Sequence, residues 1–103
     1  PAPPEPGTRH ARHLFTILVD EKNAGISRDA FLDAMRRENI GVGVHYLALP
    51  EHPFYARTFG WKNKDFPVAT AVGRMTVSLP LSAGLSDGDV DDVIEAVHRT
   101  LGE

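Results

Sequence analysis

Cysteine is absent from the 103-residue sequence, which excludes a disulfide framework and a thiolate metal site. No apolar run approaches the roughly 20 residues that a membrane-spanning helix needs. The lysines and arginines form no run and the formal net charge is −3, so neither nucleic acid nor a membrane is indicated as a partner. We therefore expect one soluble, cytoplasmic domain with a single modest core.

Motifs that carry complete chemistry are also absent. The sequence contains no Gly-x-Ser-x-Gly elbow, and no glycine-rich phosphate loop follows a predicted strand. His10 and His13 have i, i+3 spacing, but no acid pair accompanies them, so we expect no metal site. Asp87 and Asp89 lie at a predicted helix start, where the helix dipole favours acidic residues. The chain by itself is therefore predicted to hold no catalytic, cofactor-binding or metal-ligating residue.

The first twelve residues, PAPPEPGTRHAR, are rich in proline. Proline blocks helices and sheet ladders and favours extended polyproline geometry. We therefore predict a linker over residues 1–12, which joins a domain over residues 13–103 to another domain.

Three segments have the character of strands. Residues 14–19 are continuously apolar, and residues 75–79 alternate apolar with small polar side chains. Ile40 begins a third segment, which runs to Tyr46 with two glycines on one face. Glycine within a strand often marks close approach by a backbone or a ligand.

Helical patterns separate these segments. Ser27 and Ser86 are predicted helix caps, and Pro67 suits the first turn of a short helix. Residues 54–61 are expected to form a helical turn within an irregular arm. This order predicts an α+β fold, with a small, mainly antiparallel sheet of about three strands and helices packed on one face.

His45 and Tyr46 form the best candidate polar pair. Functional residues favour strand ends and the loops that follow them. The alternative is an ordinary strand end, with Tyr46 packed into the core and His45 at the surface.

Several motifs together resemble one known family. The run HARHLFTILVDEKNAGISRDAFLDAMRRENIGVGVHY is similar to the start of the small C-terminal domain of the DegT/DnrJ/StrS sugar aminotransferases. The segments HPFY, DFP, SLPL and LSDGDVDDVIEAV follow in the order of that family, so the resemblance covers residues 10–101. The run VDEKNAGISRDAF resembles the arabinose-modifying branch, which acts on a nucleotide-linked 4-keto-pentose. Arg12 and Ser82 stand where the family often has aromatic residues.

The resemblance implies an aspartate-aminotransferase-type small domain of a pyridoxal-phosphate-dependent enzyme. In this family the Schiff-base lysine lies in a large N-terminal domain, and none of the three lysines Lys22, Lys62 and Lys64 lies in a matching motif. His45 and Tyr46 match a histidine–aromatic motif that faces the substrate cleft, so the resemblance assigns them to substrate binding. His13 matches the histidine of the HLF motif, for which we expect a structural role through backbone hydrogen bonds at the first strand.

The implied partners are the large pyridoxal-phosphate-binding domain of the same enzyme, the nucleotide-sugar substrate and a second copy in a dimer. In this reading the chain helps to close and line the sugar-nucleotide cleft, and alone it is expected to be inactive. Two alternatives stay open. The chain is either a stand-alone binding or self-assembly module derived from that domain, or an isolated fragment of the enzyme.

Overall fold

A computed structural model of the chain describes residues 4–102, in which two short strands and five helices follow one another. The elements are β1 (Phe15–Leu18), α1 (Glu21–Ala24), α2 (Arg28–Arg37), α3 (Pro53–Phe59), α4 (Pro67–Met75), β2 (Thr76–Leu79) and α5 (Asp87–Leu101). Two 3-10 turns, Leu49–Glu51 and Asn63–Asp65, flank α3.

The predicted linker lies partly outside the described residues, because residues 1–3 are not among them. Residues 4–12 are exposed and contain a turn but no helix or strand. This is compatible with a linker, and its boundary with the domain stays a prediction.

The two predicted serine caps are confirmed. The Ser27 hydroxyl accepts a hydrogen bond from the Ala30 backbone N–H at 3.3 Å, at the start of α2. At the start of α5, the Ser86 hydroxyl accepts from the Asp89 N–H at 3.2 Å, and the Asp89 carboxylate accepts from the Ser86 N–H at 2.8 Å. This reciprocal capping box satisfies two amides that the helix itself leaves unpaired.

The sheet consists of β1 and β2 paired antiparallel, with Ile17 opposite Val77 and Thr16 opposite Ser78. An α+β fold with a small antiparallel sheet is therefore confirmed.

The expected third strand from Ile40 to Tyr46 is a wrong prediction. In this segment only Gly43 joins the sheet, through a single bridge in which its N–H donates to Ser78 O at 3.1 Å and its carbonyl accepts from the Ser78 N–H at 2.8 Å. Glycine weakens a strand because it loses more conformational freedom and has no side chain to pack. The chain bends at His45, so the pairing does not propagate.

The core lies between one face of the sheet and the helices α2 and α5. Phe31 and Met35 of α2, Val77 of β2 and Ala96 of α5 have no solvent exposure, and Leu32 and Val19 pack with them. Each fully buried large side chain stabilises the fold by roughly 1.5–3 kcal/mol.

The junction of α4 and β2 is held by a largely buried arginine. The Arg28 guanidinium donates to the carbonyl oxygens of Gly73 and Thr76 at 3.2 and 3.3 Å. Within residues 4–102, no helix combines the length and apolar character needed to cross a bilayer.

Candidate functional site

The predicted pair His45–Tyr46 lies where the chain leaves the sheet, directly after the Gly43–Ser78 bridge. The two rings meet edge to face, with centroids 5.0 Å apart and planes at 87°. The peptide bond between them is cis. His45 is half-buried, whereas Tyr46 exposes 68% of its surface. The alternative of an ordinary strand end requires Tyr46 to pack into the core. The exposure of Tyr46 shows that it does not.

Ser78 holds the His45 ring in place. The ring atom Nδ1 lies 2.8 Å from the Ser78 hydroxyl oxygen, and Ser78 is only 5% exposed. Because β2 and the bridge to Gly43 fix the Ser78 backbone on both sides, the hydroxyl is a rigid anchor. Sequence reasoning did not assign Ser78 to the site, although it lies within the SLPL segment.

Gly43 makes room for the His45 ring. A Cβ atom placed on Gly43 would lie 3.2 Å from His45 Cε1, which is closer than ordinary van der Waals contact. The group that approaches Gly43 is thus the side chain of His45, and not the backbone or ligand that a glycine in a strand indicates. A Cβ on Gly41 would meet no protein atom within 4 Å, so the protein itself gives Gly41 no such role.

An arm over residues 47–66 borders this pair and is docked on α4. Ala48 is buried, and a Cβ on Gly73 would lie only 2.8 Å from the Ala48 backbone nitrogen. The Glu51 carboxylate accepts from the Arg74 guanidinium at 2.8 Å and from the Asn63 side-chain amide at 3.3 Å. The arm is therefore tied to the body of the domain by close backbone packing and by one half-exposed ion pair.

Within the arm, aromatic side chains pack on one another. Tyr55 stacks on Trp61 with centroids 5.6 Å apart, and Phe59 stacks on Trp61 at 5.2 Å. Phe66 lies 5.1 Å from Trp61 at a tilt. Phe54 and Phe59 nevertheless expose 65% and 56% of their surfaces, so the arm is internally packed while it presents apolar surface outward.

His10, His13 and His52 lie apart from the contact between His45 and Ser78. His13 is exposed and precedes β1, and the structural role expected for it stays a prediction. His10 accepts from the Arg12 backbone N–H at 2.8 Å. His52 instead contacts Tyr55 in the arm, with ring centroids 6.2 Å apart. Among the described residues, no group of three His, Asp or Glu side chains is placed to hold a metal ion.

The sequence profile of the DegT/DnrJ/EryC1/StrS aminotransferase family matches residues 1–98. The chain belongs to this family. It is 50% identical over 91 residues to the spore coat polysaccharide biosynthesis protein SpsC of Bacillus subtilis. The aligned region covers 87% of this chain and 23% of SpsC. It is 40% identical over 95 residues to an uncharacterized protein of Methanocaldococcus jannaschii, covering 92% of this chain and 25% of that protein.

A solved structure has the same fold. The chain superposes with a TM-score of 0.77 on a protein assigned as a sugar aminotransferase from Streptococcus pneumoniae in its PMP form, at 30% identity, over 88% of this chain and 22% of that one. The chain thus spans about a quarter of the length of the relatives it matches.

The family depends on pyridoxal phosphate, which needs a Schiff-base lysine, an acid at the pyridinium nitrogen and a phosphate site. A lysine that forms a Schiff base is activated in a desolvated or cationic pocket. Lys22, Lys62 and Lys64 are instead exposed. The described residues therefore do not fit a complete cofactor site, and the expectation that this chain alone binds no cofactor awaits a direct test.

Proposed function

We propose that this chain is the small C-terminal domain of a pyridoxal-phosphate-dependent nucleotide-sugar aminotransferase. It closes over and lines the cleft that receives the nucleotide sugar, and His45 and Tyr46 contact that substrate. The chemistry on the amino group belongs to the cofactor and to the large domain. The contribution of this chain is positional, because orienting a substrate lowers the entropic part of the barrier.

The observation that carries this proposal is the exposed ring of Tyr46, which packs on the anchored ring of His45. Tyr46 is 68% exposed, yet it packs edge to face on a His45 ring that the buried Ser78 holds. Core packing does not account for such a side chain. Aromatic rings combine a large contact area with a polar handle, which makes them suited to bind a sugar or a base.

The large solvent-accessible surface of the chain supports the proposal that it packs against a larger domain. The chain exposes 7533 Å², whereas a compact monomer of 11.3 kDa exposes about 5,700 Å². The exposed residues 4–12 contribute part of this excess, and exposed apolar side chains on the helices and strands contribute another part. A domain that shares its interfaces with the rest of an enzyme leaves surface of this kind uncovered when it is viewed alone.

The test is Tyr46→Ala in the full-length enzyme that carries this chain. We expect KM for the nucleotide sugar to rise about three- to tenfold, because an aromatic contact is lost. We expect kcat to change less, since the reacting groups lie in another domain. Steady-state kinetics with the nucleotide sugar as the varied substrate measure both constants.

Tyr55→Phe is the matched control, because Tyr55 is the other tyrosine of the sequence and stacks within the arm. We expect its KM to equal that of the wild-type enzyme. An unchanged KM in Tyr46→Ala would remove Tyr46 from the substrate site.

A second candidate function is a stand-alone module that assembles with itself. It is favoured by an apolar groove beside α5, where Phe15, Leu81, Val90 and Ile94 are 39–48% exposed. The genomic DNA upstream separates the two functions. A long in-frame region with a lysine motif supports the enzyme domain, and a start codon next to Pro1 supports the module.

A further inference from the structure

The burial of Ser78 indicates which group donates in the hydrogen bond between Ser78 and His45. Ser78 is 5% exposed, so its hydroxyl hydrogen needs a partner within the protein. Among the hydrogen bonds of residues 4–102, the one that the Ser78 hydroxyl makes is with His45 Nδ1, at 2.8 Å. The Ser78 hydroxyl therefore donates to Nδ1, since the opposite direction would leave a buried O–H without an acceptor.

From this direction we infer which nitrogen of the neutral imidazole carries the hydrogen. One ring nitrogen of a neutral histidine accepts and the other carries the hydrogen. With Nδ1 as the acceptor, Nε2 carries the hydrogen and is a donor. Nε2 has no hydrogen-bond partner elsewhere in the described chain, so this donor is available to a ligand.

We propose that Ser78 is a positioning residue that fixes both the orientation and the tautomer of His45, so that the Nε2–H donates to an acceptor oxygen of the bound nucleotide sugar. The donor role rests on the function proposed above, whereas the tautomer rests on the geometry alone. The oxygens with matching chemistry are those of the diphosphate and a sugar carbonyl, because both accept without donating.

The neighbouring backbone keeps this arrangement rigid. Gly43 and Ser78 exchange two backbone hydrogen bonds, at 3.1 and 2.8 Å, and the ring lies so close to Gly43 that a Cβ there would contact Cε1 at 3.2 Å. The imidazole is thus held at its Nδ1 by Ser78, and its Cε1 lies in the space that a side chain at Gly43 would occupy. A preorganised donor of this kind loses little conformational entropy when the ligand binds.

The first experiment reads the tautomer directly by 15N NMR of the histidine rings in the 103-residue chain. We expect His45 Nδ1 to be unprotonated and shifted by an accepted hydrogen bond. In Ser78→Ala this shift is expected to be lost, and in Ser78→Thr, which keeps the hydroxyl, to be retained. Thr16→Ala is the matched control, because Thr16 is the exposed partner of Ser78 across the sheet and should leave His45 unchanged. A protonated Nδ1 in the wild-type chain would overturn the assignment.

The second experiment measures KM in the full-length enzyme. Loss of one neutral hydrogen bond corresponds to an about three- to tenfold rise in KM for His45→Ala. A smaller rise is expected for Ser78→Ala, and recovery toward the wild-type value for Ser78→Thr. The nucleoside diphosphate part of the enzyme's own substrate, used without its sugar as a competitive inhibitor, distinguishes a phosphate oxygen from a sugar carbonyl oxygen as the acceptor. Its inhibition constant rises in His45→Ala if a phosphate oxygen is the acceptor, and stays constant if a sugar carbonyl is.

The two experiments separate the two claims. A raised KM in His45→Ala together with a protonated Nδ1 would overturn the Ser78 assignment and leave the proposed function intact. An unprotonated Nδ1 together with an unchanged KM in His45→Ala would overturn the donor role and remove His45 from the proposed function.

Discussion

Two residues 33 positions apart, His45 and Ser78, form the best-defined contact at the candidate site. The sequence pointed to His45 and Tyr46, because a histidine and an aromatic residue stood together after a strand-like run. It did not point to Ser78, because a serine in an alternating strand is ordinary. The pairing depends on Gly43 meeting Ser78 across the sheet, and that register is a tertiary property.

A second residue-scale feature is the cap of α5, which makes a prediction about pH. The Ser86 hydroxyl donates to the Asp89 carboxylate at 2.7 Å and the Ser86 backbone N–H donates at 2.8 Å. These two hydrogen bonds hold the pKa of Asp89 below its ordinary value. The stabilising contribution is therefore complete above the unfolded-state pKa, about 3.9, and is lost as the pH falls through the lower folded-state pKa.

We expect Asp89→Asn to lower the free energy of unfolding at pH 7, and we expect the difference from wild type to shrink below about pH 4. Urea titrations at several pH values measure this difference. Asp87→Asn, in the same first turn, is the control for the loss of a negative charge at this helix start. A difference that is constant from pH 7 to pH 3 would contradict the prediction.

At the scale of elements, the predicted serine caps were correct, whereas the predicted strand at residues 40–46 was wrong and the short helix α1, in a stretch with the character of a polar turn, was not predicted. The caps Ser27 and Ser86 act within one turn of chain, so local sequence determines them. A strand needs a partner to complete its hydrogen bonds. The segment from Ile40 has valines with strand preference, yet its glycines and the bend at His45 limit pairing to one bridge.

The docking of the arm on α4 makes a prediction at this scale. A Cβ on Gly73 would lie 2.8 Å from the Ala48 nitrogen and 3.2 Å from the Ala48 Cβ. Gly73→Ala improves helix propensity by about 1 kcal/mol, but overpacking costs about 1–3 kcal/mol. We expect the free energy of unfolding to fall by about 1 kcal/mol, with faster amide hydrogen exchange over residues 47–66.

Gly88→Ala is the matched control for this helix glycine. A Cβ at Gly88 meets only the Ser86 hydroxyl oxygen, at 3.8 Å, so only the propensity gain applies and stability should rise by up to about 1 kcal/mol. Equal stabilities of the two variants would show that Ala48 does not constrain Gly73.

At the scale of the whole molecule, the chain is open for its length. Its radius of gyration is 15.9 Å, whereas a compact domain of about 100 residues has about 13 Å, and the exposed residues 4–12 account for part of the difference. Large apolar side chains on several elements remain exposed, including Leu18, Phe54 and Val68. These features agree with a domain whose neighbours supply part of its packing.

The exposed groove beside α5 predicts that the isolated chain associates with itself as its concentration rises. We expect Ile94→Glu to weaken this association, because a charge would be buried at the interface. Sedimentation velocity at several concentrations measures it. Val68→Glu, at a 76% exposed position on α4, is the control for an added charge elsewhere, and equal behaviour of the two variants would exclude the groove as the interface.

The sequence by itself determined the family, the α+β class and the caps of α2 and α5, because motifs, residue patterns and capping act over short stretches of chain. It also singled out His45 and Tyr46. The tertiary structure decided that the sheet has two strands, that Ser78 anchors His45 and that the Ala48 backbone packs closely against Gly73. These contacts join residues far apart in the chain, and hydrogen-bond register and close packing, which no local pattern encodes, determine them.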